Sequence, residues 1–279
     1  MVENIPLIRH CHDGLTIEGY SRAAVQTCWR LNELKLLFDV GAHPWDFIGT
    51  PTLFISHAHL DHIAALPSYV SRRRMMKMEP PVVYLPDSAV DDAWEMLQSF
   101  RRLDRGSMPC ELIGIKAGDE IEHGREYLVR AFPMRHTITA LGFVVYQLRN
   151  KLKPEFLKLS GAEIRDLKQN GTEITTEQQV PIFAYTGDTS PRGLDNNPEF
   201  YQAKVLISEI TFVAPEHRKD LIHKHGHMHV DDYRARADQF ANELIVGGHL
   251  STRYHDKQVE TLVQRALPGM LDDRLKLWI

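Results

Sequence analysis

Cysteine is scarce: Cys11, Cys28 and Cys110 are the three among 279 residues, odd in number and far apart. They provide no disulfide framework and no paired-thiolate metal clip, so a reducing, cytoplasmic setting is expected. No apolar run approaches the ~20 residues of a membrane span, so no membrane partner is expected. The opening MVENIPLIRHCHDG lacks a basic segment followed by an apolar stretch, and no secretory leader is read in it. Positive charge is not in excess either. The 33 Lys and Arg against 37 Asp and Glu leave a net charge of −4. That argues against a general nucleic-acid coat but leaves room for a local basic patch. Repeats, low-complexity tracts and Pro/Ser linkers are also missing, and residues 1–279 read as a single domain with its own core.

Short apolar runs rich in Val, Ile, Leu and Phe are present, and they read as strands buried on both faces. They are 36–40, 53–56, 82–85, 128–132, 143–147, 182–185, 205–208 and 244–246. Helical spacing falls between them at 63–76, at 88–103 with Ser88 as N-cap, at 230–244 and at 256–266. Strands interleaved with helices predict an α/β layered fold. The polar, lysine-bearing stretch at about 151–179 reads as a short surface excursion, with one helical pattern at 161–169.

Histidine is unusually frequent, at 15 residues, and its placement carries the chemistry. Ser56-His57-Ala58-His59-Leu60-Asp61-His62 sits between a strand and a helix. In extended backbone, His57 and His59 point the same way. Asp61 and His62 on the following turn can face a second point. His136, Asp188 and His249 each follow another predicted strand, and Gly187 permits a sharp turn before Asp188. Taken singly, each has a plain structural reading; together with the His/Asp cluster they suggest a shared site. Imidazole and carboxylate without thiolate suit zinc, with manganese or iron also accommodated.

The HxHxDH run resembles the metallo-β-lactamase superfamily, whose fold is a four-layer αβ/βα sandwich. The resemblance spans nearly the whole chain, from Asp39-Val40-Gly41 to His249. It implies that His57, His59 and His136 bind one zinc and Asp61, His62 and His249 another, with Asp188 bridging, so two zincs per chain. Ser208-Glu209-Ile210-Thr211-Phe212, Gly226-His227-Met228-His229 and His249-Leu250-Ser251-Thr252-Arg253-Tyr254 resemble segments of the RNase Z family. The short plant-type form is the nearest in pattern. By that likeness Glu209 and His227 form a proton-relay pair, Asp61 also helps activate water, and Ser251 and Arg253 contact substrate. The segment from Gly19 to Asn32 does not reproduce the family's usual pattern there, and the excursion lacks a Gly-Pro-rich arm tip.

The resemblance implies removal of the 3′ trailer from precursor tRNA. The alternatives on the same scaffold are a small phosphodiester, a lactone or a thioester, because one fold hosts many reactions. A non-catalytic RNA-binding subunit with a decayed site is a third reading, and every expected ligand is present against it. Arg72-Arg73-Arg74 with Lys77, and Arg101-Arg102 with Arg105, read as phosphate contacts or as solvated helix faces. The first run follows the metal loop and, by the family likeness, can instead form the interface of a homodimer.

Overall fold

The structure is a computed structural model that describes residues 7–279. Residues 1–6, where the leader reading begins, lie outside it. Seven strands form one sheet in sequence order: β1 (Ile8–His12), β2 (Leu15–Arg22), β3 (Gln26–Leu31), β4 (Leu36–Phe38), β5 (Thr52–Phe54), β6 (Val82–Pro86) and β7 (Glu111–Ile115). Seven more form a second sheet: β8 (Glu120–His123), β9 (Tyr127–Pro133), β10 (Leu141–Leu152), β11 (Thr175–Tyr185), β12 (Val205–Glu209), β13 (Leu244–Gly248) and β14 (Leu275–Leu277). Each sheet starts antiparallel and ends parallel, from β4 to β7 in the first and from β11 to β14 in the second.

Helices α1 (Leu60–Ile63), α2 (Leu66–Met75) and α3 (Val90–Asp104) belong to the first half, and α4 (Gly161–Gln169) to the excursion. Helices α5 (Pro191–Asp195), α6 (Glu199–Gln202), α7 (Lys219–Lys224), α8 (Val230–Arg234) and α9 (Asp256–Ala266) complete the second half.

Alternation along the strands explains the layering. Phe54 points inward, meeting Phe38, Phe143 and Phe183 in the seam between the sheets, while Leu53 and Ile55 point outward to Tyr69, Val70 and Leu97 of α2 and α3. On the far side Val144, Ala184, Leu206 and Ile245 meet Phe200, Tyr233, Val259 and Val263. Three apolar layers between helix, sheet, sheet and helix make the expected αβ/βα sandwich. They are also why the central strands are apolar without alternation.

The expected helix at 230–244 is shorter than its pattern. It stops at Arg234, and the chain then runs through a 3-10 turn at Ala237–Gln239 before β13. Ser88 does not cap α3; that helix begins after Ala89, preceded by a 3-10 turn at Asp87–Ala89. Strands β1 to β3 escaped the apolar-run reading because they carry buried polar groups. Glu18 is almost fully buried between Arg9 and Arg30, and Arg30 Nε donates to it over 2.7 Å. The excursion continues the β10–β11 ladder out to Leu152–Thr175 and carries α4 beyond it, held by a Ser160–Glu163 capping box.

Candidate metal centre and active site

The side chains singled out in the sequence meet at the carboxyl ends of parallel strands, where open α/β sheets place their ligands. β5 leads into His57–His62, β11 into Asp188, β12 ends at Glu209, and β13 leads into His249. His136 arrives from the turn between β9 and β10. Gly187 takes φ +59, and a Cβ there would lie 2.7 Å from Ser56 Cβ, so the turn that presents Asp188 needs a glycine.

Two groups of ligand-type atoms converge. In the first, His59 Nδ1 lies 3.1 Å from His57 Nε2 and 3.0 Å from His136 Nε2. Asp188 Oδ2 is 3.7 Å and 3.9 Å from those two Nε2 atoms. In the second, His62 Nε2 and His249 Nε2 are 3.3 Å apart. Asp61 Oδ2 lies 3.3 Å from His249 and 3.7 Å from His62. Asp188 Oδ1 lies 3.3 Å and 3.5 Å from the same pair. Asp188 thus belongs to both groups.

The far sides of the rings decide what these approaches mean. His62 Nδ1 donates to Asp39 over 2.7 Å, and His136 Nδ1 donates to the Gly226 carbonyl over 2.9 Å. The Ser56 hydroxyl donates to Asp39, so it accepts from His57 Nδ1. The Thr211 hydroxyl donates to Glu209, so it accepts from His249 Nδ1. All four Nε2 atoms therefore carry lone pairs, and those lone pairs face one another and carboxylate oxygens. Such an arrangement repels itself unless a cation stands between. A tetrahedral shell with metal–nitrogen bonds of ~2.0–2.1 Å sets its ligand atoms about 3.3 Å apart, close to the spacings here. Asp188 Oδ1 is buried without a hydrogen-bond partner, as expected of an atom whose partner is an ion. The donor set fits a metal.

With protein charges alone, burial holds His57 well below its ordinary pKa, and it also lowers His59 and His136. Burial opposes charge on His62, but Asp188 and Asp39 outweigh it and hold that ring well above the usual value. Burial also opposes charge on Asp61, yet His249 and His62 bring it down to about 2. The carboxylates thus stand ready as anions, as ligands must be.

Asp39 was not among the residues expected at the site. It is fully buried, sits at φ +56, and accepts from the Ser56 amide and hydroxyl, His62 Nδ1 and the Tyr185 hydroxyl. It fixes the tautomer and angle of His62, as the carboxylate behind a metal-binding imidazole does. Thr211 and the Gly226 carbonyl do the same for His249 and His136. Only the Asp-Val-Gly turn hinted at Asp39, since its partners lie 17 to 146 residues away.

Glu209 and His227 do pair, with His227 Nδ1 3.1 Å and 3.2 Å from the two carboxylate oxygens. Glu209 is locked by the Thr189 amide at 2.7 Å, the Met228 amide at 3.1 Å and the Thr211 hydroxyl. Burial opposes charge on His227, but Glu209 overcomes it and raises the pKa to about 9. The ring lines a cavity of about 690 Å³ that also touches His59, His136 and Arg253.

The other expected contacts divide. Arg253 reaches this cavity, with its guanidinium 5.8 Å from the centre of the Phe212 ring. Ser251 does not line it; it is buried, and its hydroxyl accepts the Arg253 amide. Arg73 is a correction to the basic-run reading: it is buried and spends its guanidinium on the Ile48, Thr50 and Glu79 carbonyls. Arg74 holds Asp104 and the Ser107 carbonyl. Arg101, Arg102 and Arg105 are exposed and, among the described residues, have no carboxylate partner.

A beta-lactamase superfamily domain matches residues 43–250. The tRNase Z TRZ1 of Arabidopsis thaliana is 38% identical over 94% of this chain and 94% of its own length. The chain belongs to the RNase Z family. The chloroplastic tRNase Z TRZ2 of the same plant is 34% identical, covering 90% of this chain and 72% of its own. Among solved structures, the metallo-β-lactamase fold protein YhfI of Bacillus subtilis superposes with a TM-score of 0.61 at 14% identity, over 93% and 92% of the two chains. The short form of human tRNase Z gives 0.53 at 17%, over 90% and 89%. In this RNase Z chain the Gly19–Asn32 segment that departs from the family pattern is the β2–β3 hairpin. No helix among the described residues is long and apolar enough to cross a membrane.

Proposed function

We infer that the protein is a metal-dependent endoribonuclease that removes the 3′ trailer from precursor tRNA. The observation that carries this reading is the Glu209–His227 pair beside the two ligand groups, in a chain 38% identical to a plant tRNase Z. His57, His59, His136 and Asp188 are the ligands of one cation, and Asp61, His62, His249 and Asp188 those of a second. Zinc is the ion the donors suit best. Two such cations lower the pKa of water towards neutrality and offset charge on the phosphate.

The protein's own groups do the rest. Asp61, held by the Ala24 amide over 2.8 Å, accepts the proton of the attacking water. His227, cationic and aligned by Glu209, donates a proton to the departing ribose O3′. Arg253 offers a guanidinium to a neighbouring phosphate. Cleavage then leaves a 3′ hydroxyl on the tRNA and a 5′ phosphate on the trailer. The exposed Leu60, Met75, Met76, Phe100 and Leu103 around α1 to α3 support a homodimer formed through that face.

Incubation with a 3′-extended precursor tRNA, mapping the cut and the chemistry of its ends, tests the function. Cleavage at the end of the acceptor stem with those termini is expected; an untouched precursor alongside turnover of a lactone or thioester would replace this reading.

Two further results are expected. Asp39→Asn should weaken metal binding by roughly 10- to 100-fold while the protein stays folded, as measured by chelator competition; unchanged affinity would show that Asp39 does not orient His62. Glu209→Gln should move the basic limb of the kcat–pH profile. His227 acts as an acid only below its raised pKa, so its help fades as pH rises through that value. Without the Glu209 charge the pKa falls, and the limb should move to lower pH by roughly a unit or more. An unmoved limb would remove His227 as the titrating acid.

A further inference from the structure

The cavity beside His227 is larger than a phosphodiester requires. Its 690 Å³ falls among cavities that enclose a small organic molecule, ~300–1,000 Å³. One wall is imidazole, from His59, His136 and His227; the facing wall is Phe212, His217 and Leu221, with Arg253 at its edge. Phe212 and His217 lie 5.3 Å apart at 67°. Leu221 is 42% exposed, an apolar side chain turned to this space rather than to a core. Among the described residues Arg253 has no carboxylate partner, and its guanidinium stands over Phe212. The members of this facing wall neither hold a cation nor move a proton in the scheme above. A π face, an aliphatic edge and a free guanidinium together suit a nucleobase and its phosphate.

His227 decides which base. Its proton goes to the departing O3′, and that oxygen belongs to the ribose on the 5′ side of the cut. The cavity begins at His227, so that nucleotide enters it first. The nucleotide on the 3′ side retains the phosphate and leaves with it. We propose that this cavity seats the nucleobase immediately 5′ of the scissile bond, stacked on Phe212 with Arg253 and Leu221 at its margins. The enzyme thereby reads the last base retained on the tRNA rather than the first base of the trailer. This rests on the endoribonuclease reading and on His227 as the proton donor.

The test is kcat/KM for wild type and Phe212→Ala on three 3′-extended precursor tRNAs: intact, abasic at the residue 5′ of the cut, and abasic at the first trailer residue. On the intact substrate, Phe212→Ala is expected to lose roughly 10- to 100-fold. The upstream abasic site should slow wild type by a similar factor, with Phe212→Ala adding little further loss. The trailer abasic site should leave the Phe212→Ala penalty whole. Phe212→Tyr, which keeps the stacking face, should restore the rate, and Leu221→Ser run in parallel guards against a folding defect at position 212. A penalty undiminished on the upstream abasic substrate, or abolished only on the trailer abasic one, overturns the proposal. Failure of wild type to cut the intact precursor overturns instead the reading of the site on which it rests.

Discussion

His59→Ala is expected to lose metal and activity together. His59 Nδ1 is the atom on which His57 Nε2 and His136 Nε2 both converge, at 3.1 Å and 3.0 Å. Remove it and the first group keeps two nitrogens and one carboxylate oxygen shared with the second. The backbone should tolerate the change, since His59 is half-buried and stands at the N-cap of α1 without a side-chain capping bond. Metal analysis of the purified variant, read beside its thermal unfolding, checks this. A folded variant with wild-type metal content would show that the convergence around His59 is packing rather than coordination.

His227→Ala is expected to separate metal from activity. His227 Nδ1 is occupied by Glu209, and its nearest approach to the bridging carboxylate is 4.0 Å, to Asp188 Oδ2. Both ligand groups are complete without it. The variant should retain its metal and cleave roughly 100-fold or more slowly, the scale of lost proton donation. The slowing should appear in kcat rather than in KM, because the proton moves only as the bond breaks. Loss of metal in this variant would make His227 a ligand and would leave Glu209 without the role given to it.

How much of this was legible depended on whether the signal was local. The HxHxDH run lies within six residues, and its meaning is visible because four ligand-type side chains crowd a strand end. His136, Asp188 and His249 gained weight only as a set, and in the fold they come together with that run. The layered α/β class followed from apolar runs that have both faces covered. What stayed hidden depends on distant partners. Asp39 reads as a turn residue until Ser56, His62 and Tyr185 are seen around it. β1 to β3 look polar because Glu18 is neutralised by arginines from neighbouring strands. Phe212, Leu221 and His217 could be read as core and surface until α7 and the turn at His227 bring them to one cavity. Arg73 shows the opposite error: three adjacent arginines suggest a phosphate surface, but one of them is internal scaffolding.

The central claim is that facing lone pairs define two cation positions joined by Asp188. Elemental analysis of the purified protein, combined with an anomalous-scattering map at the absorption edge of the ion found, tests it most directly. The account predicts two ions per chain, one among His57, His59 and His136, the other among Asp61, His62 and His249, with Asp188 between them. A protein that carries no divalent ion and takes up none when zinc is supplied, or that binds its ions elsewhere, would contradict it.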